Sequence, residues 1–220
     1  ITTDLAGNAR IQFSTVDMGA YESAFGGPAP TPTPPAPTPT PALVQTLVVT
    51  KTTDSDDGSC DANDCSLREA ITRANALSTD DTITFKASAN GTITLGSALP
   101  ELASNGKLTI TGNGRTNTIV SGIVSGGNAV RVFRVASGAN VTIGNMTITQ
   151  GDGGILNFGG TLAVTSCSIT GNSTAIGGGI ANVTTVGNNA TLTVTNSTIS
   201  GNSAQAQGGG IATSTSSVTT

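Results

Sequence analysis

Hydrophobic and polar residues alternate along the second half of the chain, in a short unit that recurs. The segment 161–173 reads Thr-Leu-Ala-Val-Thr-Ser-Cys-Ser-Ile-Thr-Gly-Asn-Ser, and a close copy follows at 191–203, an offset of 30 residues (161 to 191). Alternation of period two among Thr, Val and Ile is typical of β-strands that bury one face. Each unit therefore predicts two short strands separated by a bend. The inward-facing positions of the first copy are Leu162, Val164, Cys167 and Ile169.

An earlier segment, 140–149, matches the same unit at an offset of 21 residues (140 to 161). A second element, Gly-Gly-Gly-Ile-Ala, occurs at 177–181 and again at 208–212, which gives about three strands in each repeat. Glycine and asparagine at the ends of these segments tolerate positive φ and supply corners. The match places one set of apolar residues over the positions named above: Val141, Ile143, Met146 and Ile148.

The repeats predict the fold. One repeat cannot bury its own apolar face, but repeats stacked about 4.8 Å apart pair their backbones with the repeats before and after them. The expected fold is all-β: a right-handed parallel β-helix, a pectate-lyase-like solenoid, over residues 80–220. Asn172 and Asn202 occupy matching positions and are expected to form an amide ladder, and Cys167 is expected to be a small buried apolar residue.

A single helix is predicted at 66–77. Ser66 and Glu69 have the spacing of a capping box, and the chain between them and Leu77 carries apolar residues at helical intervals. Those residues are Leu67, Ala70, Ile71, Ala74 and Leu77. The first coil of a β-helix exposes an unpaired edge and an apolar core unless something covers it. We therefore expect this helix to cap the N-terminal end of the solenoid.

Composition divides the chain into four regions and narrows the function classes. Residues 1–25 stand apart, 26–42 form a Pro/Thr-rich spacer, 43–79 hold a strand, an Asp-rich loop and the helix, and 80–220 hold the repeats. The net charge is −4, with no basic stripe, so no nucleic-acid partner is expected. No apolar run is long enough to cross a membrane. The sequence has neither an initiator Met nor a signal peptide, which suggests a processed chain or an excised piece.

Catalytic groups are sparse in the repeats. The chain has no His, and from residue 108 onward its only acid is Asp152. Its only bases there are Arg115, Arg131 and Arg134. Glycoside hydrolysis needs two carboxylates, and an activated hydroxyl needs a base. We therefore expect no enzyme, no catalytic residue and no cofactor.

The Asp-rich loop leaves two interpretations open. Alternate carboxylates of the kind that wrap calcium are present, but the distal Glu of a calcium-binding helix–loop–helix site is not. The loop is therefore either a calcium site or a solvated loop. The candidate ligands are Asp54, Asp56, Asp57 and Asp61. Cys60 and Cys65 are expected to close a small disulfide loop in an oxidising compartment, because their spacing differs from that of a Cys-x-x-Cys redox pair.

Residues 65–70, Cys-Ser-Leu-Arg-Glu-Ala, resemble the motif that defines the CSLREA family, which stands where β-helices of bacterial surface and secreted proteins begin. The likeness continues through 81–85 and 91–95 and covers about residues 45–220. It implies an extracellular or bacterial cell-surface location and a structural role.

Residues 1–25 resemble the closing segment of the choice-of-anchor Q domain, which ends a solenoid, whereas here the segment precedes one. The matching residues are Asp4, Gly7, Arg10, Val16, Asp17, Gly19, Ala20, Tyr21 and Glu22. Two hypotheses follow. Residues 1–25 of one copy complete the last coil of the next, which gives head-to-tail filaments, or they finish a preceding module of a longer tandem protein.

The sequence therefore predicts a structural β-solenoid that builds a fibre or a surface layer. An adhesin or glycan-binding β-helix is the alternative, and it needs exposed aromatic rings; Phe133 and Phe158 are the phenylalanines of the repeats, and both are expected to be buried. A polysaccharide lyase or hydrolase is the third candidate, and it needs acids that the repeats do not contain.

Overall fold

A computed structural model describes residues 11–12, 15–16, 44–103, 105–124, 127–185 and 187–214. The chain divides into two compact units, Ile1–Pro41 and Ala42–Thr220. In the first unit, β1 (Ile11–Gln12) pairs with β2 (Thr15–Val16) in antiparallel fashion. The predicted spacer at 26–42 and the rest of the predicted segment 1–25 lie outside the described residues.

The second unit consists mainly of three parallel sheets. The first sheet contains β3 (Gln45–Val49), β4 (Asp81–Phe85), β6 (Lys107–Thr111), β9 (Asn140–Gly144), β12 (Thr161–Thr165) and β16 (Thr191–Thr195). The second sheet contains β5 (Gly91–Thr94), β7 (Thr118–Ser121), β10 (Thr147–Thr149), β13 (Ser168–Thr170) and β17 (Thr198–Ser200). The third sheet contains β8 (Phe133–Val135), β11 (Ile155–Phe158), β15 (Ile180–Val183) and β19 (Ile211–Ser214). A separate parallel pair joins β14 (Ser173–Ile176) to β18 (Ser203–Gln207).

The chain visits the three sheets in turn. From residue 140 onward, each repeat contributes one strand to each sheet, in the order first, second, third. The penultimate repeat consists of β12, β13, β14 and β15, and the last repeat of β16, β17, β18 and β19. The sheets pair strands from successive repeats, so most backbone hydrogen bonds join residues that are distant in sequence.

The register confirms the offsets predicted from the sequence. Leu162 lies beside Leu192 on one side and beside Val141 on the other, which are the predicted offsets of 30 and 21 residues. In the second sheet, Ile169 lies between Ile148 and Ile199. Apolar residues therefore stack on apolar residues along each sheet.

These stacked residues form the core. The inward positions predicted for the penultimate repeat are all fully buried: Leu162, Val164, Cys167 and Ile169. Burial of an aliphatic side chain of this size stabilises a fold by about 1.5–3 kcal/mol. Because the inward residues recur in every repeat, the core continues from the first sheet's β3 to the penultimate repeat.

Corners between strands use left-handed backbone conformations. Asn145, Ser166 and Asn196 follow β9, β12 and β16 and have φ values of 54°, 54° and 51°. Two of the three are asparagines, which tolerate this region better than most residues do. At a later corner, a Cβ on Gly178 would lie 2.2 Å from the Ser203 carbonyl oxygen, so only glycine allows adjacent repeats to approach there.

The helix is shorter than predicted. α1 spans Leu67–Asn75, and Ala76 is its C-cap, so Leu77 lies beyond the helix and is only half-buried. The Asn75 side chain donates to the Glu101 carbonyl (2.7 Å) and accepts from the Ala103 N–H (3.1 Å). These two bonds tie the last helical residue to the neighbouring segment, where the helix ends. A 3₁₀ turn, Ala87–Ala89, follows β4.

Candidate functional site: the covered and uncovered ends of the parallel sheets

Helix α1 covers the N-terminal end of the parallel sheets. It packs on β3 and β4, and its apolar residues are buried in the core together with those of the strands. The predicted capping box is present: the Glu69 N–H donates to the Ser66 hydroxyl (3.1 Å), and the Ser66 N–H donates to the Glu69 carboxylate (2.6 Å). These reciprocal bonds satisfy backbone donors at the helix start that would otherwise lack partners.

Glu69 also holds the Asp-rich loop against the helix. Its carboxylate accepts from the Asp57 N–H (3.0 Å) and the Ser55 hydroxyl (3.3 Å), and it lies 3.9 Å from the Lys51 ammonium. Burial raises the pKa of Glu69. The hydrogen bonds from Ser66 and Asp57, with the Lys51 charge, lower it further than burial raises it, so the pKa lies below the ordinary glutamate value. The carboxylate is therefore held in its charged form.

Arg68 is a buried clamp that the sequence pattern did not reveal. Its guanidinium donates to both Asp54 carboxylate oxygens, at 3.0 and 2.7 Å, and to the carbonyls of Ser97 and Ala98, both at 2.8 Å. Asp54 also accepts from the Gly96 N–H at 2.7 Å. A planar guanidinium with several donors suits this combination of one carboxylate and two carbonyls. One helical side chain thus joins the loop to the segment after β5.

A disulfide closes the loop immediately before the helix. Cys60 and Cys65 are bonded to each other, as expected from their spacing. Thr50 holds the same point from the other side, because its N–H donates to the Cys65 carbonyl and its hydroxyl accepts from the Cys65 N–H, both at 2.9 Å. Lys51 and Asp64 form an ion pair beside these bonds, and the hydrogen bond from Asp64 raises the pKa of Lys51. The helix start is therefore fixed covalently and by hydrogen bonds.

The candidate calcium ligands do not converge. Asp54 is engaged by Arg68 as described above, and Asp57 and Asp61 accept from backbone N–H groups of their own turns. These two N–H bonds, from Asn63 and Asp64, lower the pKa of Asp61. Asp56 is exposed and lies apart in this loop. Within the described ranges, no group of three or more acidic, His or Cys side chains is placed to hold a metal ion, which corrects the calcium interpretation.

Asparagine ladders join successive repeats inside the fold. The Asn172 side chain accepts from the Gly151 N–H (2.9 Å) and donates to Asn202 Oδ1 (2.9 Å), which is the ladder expected from the sequence. A second ladder was not predicted: Asn157 Nδ2 donates to Asn182 Oδ1 at 2.7 Å. Both ladders pair buried polar groups that would otherwise destabilise the core.

The arginines of the repeats bond mainly to backbone oxygens. Arg115 donates to the carbonyls of Ser166 (3.0 Å) and Asn196, which belong to two successive repeats. Arg131 donates to the Ile155 carbonyl (3.4 Å), and burial lowers the pKa of its guanidinium. These side chains link repeats, and Asp152 stands exposed. The Cys167 thiol is buried, which raises its pKa.

One aromatic ring lies at the surface, against expectation. Phe133 is buried as predicted, but Phe158 is 37% exposed because it occupies an outward position on β11. The Arg134 guanidinium lies 4.9 Å from the centre of its ring, and Arg134 also pairs with Glu101 at 2.8 Å. Phe158 therefore has a cation on one face of its ring.

The last repeat is uncovered where the first is covered. Leu192 and Ile199 are half-buried, Val194 is 37% exposed and Ile211 is 43% exposed. Their counterparts in the penultimate repeat are fully buried: Leu162, Val164, Ile169 and Ile180. Each of the three sheets therefore ends, among the described strands, on a strand with partly exposed apolar residues.

Comparison with known protein families, with curated proteins and with solved structures gives no match for this chain. Among the described residues, α1 is too short and too polar to span a membrane, and no other helix is a candidate. The resemblance to the CSLREA and choice-of-anchor Q families therefore stays a prediction.

Proposed function

We propose that residues 80–220 form a right-handed parallel β-helix and that the protein is a structural module of a bacterial cell surface. Three features support the solenoid: the chain visits three parallel sheets in turn, apolar residues stack in register, and asparagine ladders run between repeats. Such a rod is held by backbone hydrogen bonds along its whole length.

The proposed extracellular setting is supported by the disulfide that fixes the helix start. Disulfides persist in oxidising compartments, and the resemblance of residues 65–70 to the CSLREA motif points to the same setting. A covalent lock at the capped end suits a protein that works outside the cell.

The observation that carries the functional proposal is the contrast between the two ends. The first repeat is sealed by α1 and the Asp-rich loop, whereas the last repeat leaves Val194 and Ile211 partly exposed. We propose that segment 1–25 of a second copy adds to this uncovered edge by strand addition. Such a head-to-tail contact joins two different surfaces, so repetition produces an open filament.

Assembly of the purified chain tests this proposal. Sedimentation and electron microscopy should show filaments of the full chain and none after deletion of residues 1–25. The double variant V194K/I211K should also stay monomeric, because it places charges on the uncovered edge. The control V44K/I176K changes apolar residues of equal or greater exposure away from that edge, and it should assemble normally. Filaments in both the deletion and V194K/I211K would refute strand addition.

A glycan-binding role is the second candidate, and the exposed Phe158 ring beside Arg134 favours it. Aromatic rings stack on sugar faces, and an adjacent guanidinium donates to sugar hydroxyls or carboxylates. If this role is correct, F158A should weaken retention of the chain on immobilised polysaccharides. We expect no new reducing or unsaturated ends in those polysaccharides, since we propose no catalytic activity.

A further inference from the structure

The outward face of the first sheet carries threonine at most of its positions. Two columns of outward residues run across its six strands, one at the centre of each strand and the other two residues further on. The first column contains Thr46, Thr82, Thr109, Thr142, Ala163 and Thr193. The second contains Val48, Thr84, Thr111, Gly144, Thr165 and Thr195. Nine of these twelve residues are threonine and none is charged, so the face has a single repeated chemistry.

The fold does not require this composition. The third sheet belongs to the same repeats, yet the column that begins at Arg134 continues through Leu156 and Ala181. In the second sheet the hydroxyl pattern is broken by Ile119 and by Ser121, which is buried. The threonine columns are therefore a property of one face, which we call the threonine face.

The threonine hydroxyls are positioned regularly and are available to solvent. Neighbouring strands of a sheet are about 4.8 Å apart, and residues two apart along a strand are about 6.6 Å apart. Threonine is branched at Cβ, so few χ1 rotamers are populated and the hydroxyl and methyl groups keep their spacing. The structure shows no hydrogen bond from these hydroxyls to another described residue. The inward neighbours Leu108, Ile110, Val141 and Ile143 are buried and hold the sheet in place.

We propose that the threonine face binds ice. The faces of ice crystals present water oxygens at two repeats close to the two spacings above. Each threonine hydroxyl donates and accepts hydrogen bonds and so takes the place of one lattice water, while its methyl group excludes water that does not fit the lattice. The face carries no charge that would hold water in another arrangement. This binding is independent of end-to-end assembly, because it uses the side of the sheet and not its uncovered edge.

Freezing experiments on the full chain test the proposal. The purified protein should shape growing ice crystals and separate their melting and growth temperatures. T109K/T142K should lose this activity, because two long charged side chains in the first column prevent contact with a flat crystal. The control L156K/I176K places two lysines at outward or exposed apolar positions off the threonine face and should keep the activity. Melting curves establish that both variants fold.

Four results would overturn the proposal. The first is an unmodified chain that neither shapes ice nor separates the two temperatures. The second is equal loss in both variants, and the third is retention of the activity in T109K/T142K. The fourth is retention of the chain on crystalline cellulose without any effect on ice, which would assign the threonine face to a polysaccharide surface.

Discussion

The penultimate and the last repeat carry nearly the same residues at matched positions, yet they bury them to different extents. Val164 and Ile180 are fully buried, whereas their partners Val194 and Ile211 are 37% and 43% exposed. The strands themselves do not differ, since both repeats form the same elements in the same register. What differs is whether another repeat packs on the outer edge. Burial in this fold is therefore supplied by neighbours along the stack.

The N-terminal end shows the other solution to the same problem. There the covering element is α1, which supplies apolar side chains to the core and polar side chains, Arg68 and Glu69, to the surrounding loops. A strand edge covered in this way cannot accept a further strand. The two ends are therefore not interchangeable, and this asymmetry underlies the proposed direction of assembly.

The largest effect should come from matched truncations in the two repeats. Ile169 and Ile199 are neighbours in the second sheet, but only Ile169 is fully buried. I169A should lower the free energy of unfolding by about 4 kcal/mol because it leaves a cavity. I199A should lower it by much less, since part of that side chain already contacts solvent. Chemical denaturation of the two variants measures the difference, and equal losses would mean that the last repeat is covered in solution.

A second comparison uses the two arginines of α1. R68A should lower the free energy of unfolding by about 3 kcal/mol, because it leaves the Asp54 carboxylate buried without its cationic partner. R73A removes an exposed arginine from the same helix and serves as the control. If denaturation gave equal stability for R68A and R73A, the clamp between helix and loop would not exist in solution.

The asparagine ladder allows a third comparison of the same kind. Asn172 is buried and bonds in both directions along the ladder, whereas Asn202 is half-buried at its end. N172A should lower the free energy of unfolding by about 2 kcal/mol, because it leaves buried donors and acceptors without partners. N202A should lower it by about half as much. Thermal or urea unfolding checks this ranking, and the reverse ranking would contradict the ladder.

The smallest effect concerns pH and the capped end. The folded protein holds the pKa of Glu69 below its ordinary value, so the stability that Glu69 contributes is complete above the unfolded pKa of about 4.3. This contribution is lost as the pH falls through the lower, folded pKa. Urea unfolding between neutral and strongly acidic pH should show a shallower acid-side decrease in E69Q than in the unmodified chain. Identical slopes would mean that Glu69 is not held as described.

Sequence reasoning succeeded where a pattern repeated. The offsets of 30 and 21 residues predicted which residues stack, and the structure has Leu162 between Val141 and Leu192. The spacing of Ser66 and Glu69 likewise indicated the capping box. Periodic burial and local hydrogen bonding are both written into neighbouring residues, so a single sequence is sufficient to find them.

Interactions between distant residues were harder to predict. Arg68 reaches Ser97 and Ala98, about thirty residues away, and no local pattern indicates that contact. The Asp-rich loop resembled a calcium site because its composition fits one, but Asp54 faces Arg68 in the structure. The position of Phe158 on an outward face depends on the register of β11, which the repeats at 161 and 191 do not specify.

Stacking of successive repeats in register is the central claim, and engineered cross-links test it most directly. Thr161 and Thr191 are exposed neighbours on β12 and β16, and adjacent strands bring Cα atoms to about 4.8 Å, within disulfide reach. Thr195 lies four residues further along the strand, about 13 Å away. We predict that T161C/T191C forms a disulfide under mild oxidation and that T161C/T195C does not. Equal cross-linking of the two pairs, or none in a folded T161C/T191C chain, would contradict the stacked architecture.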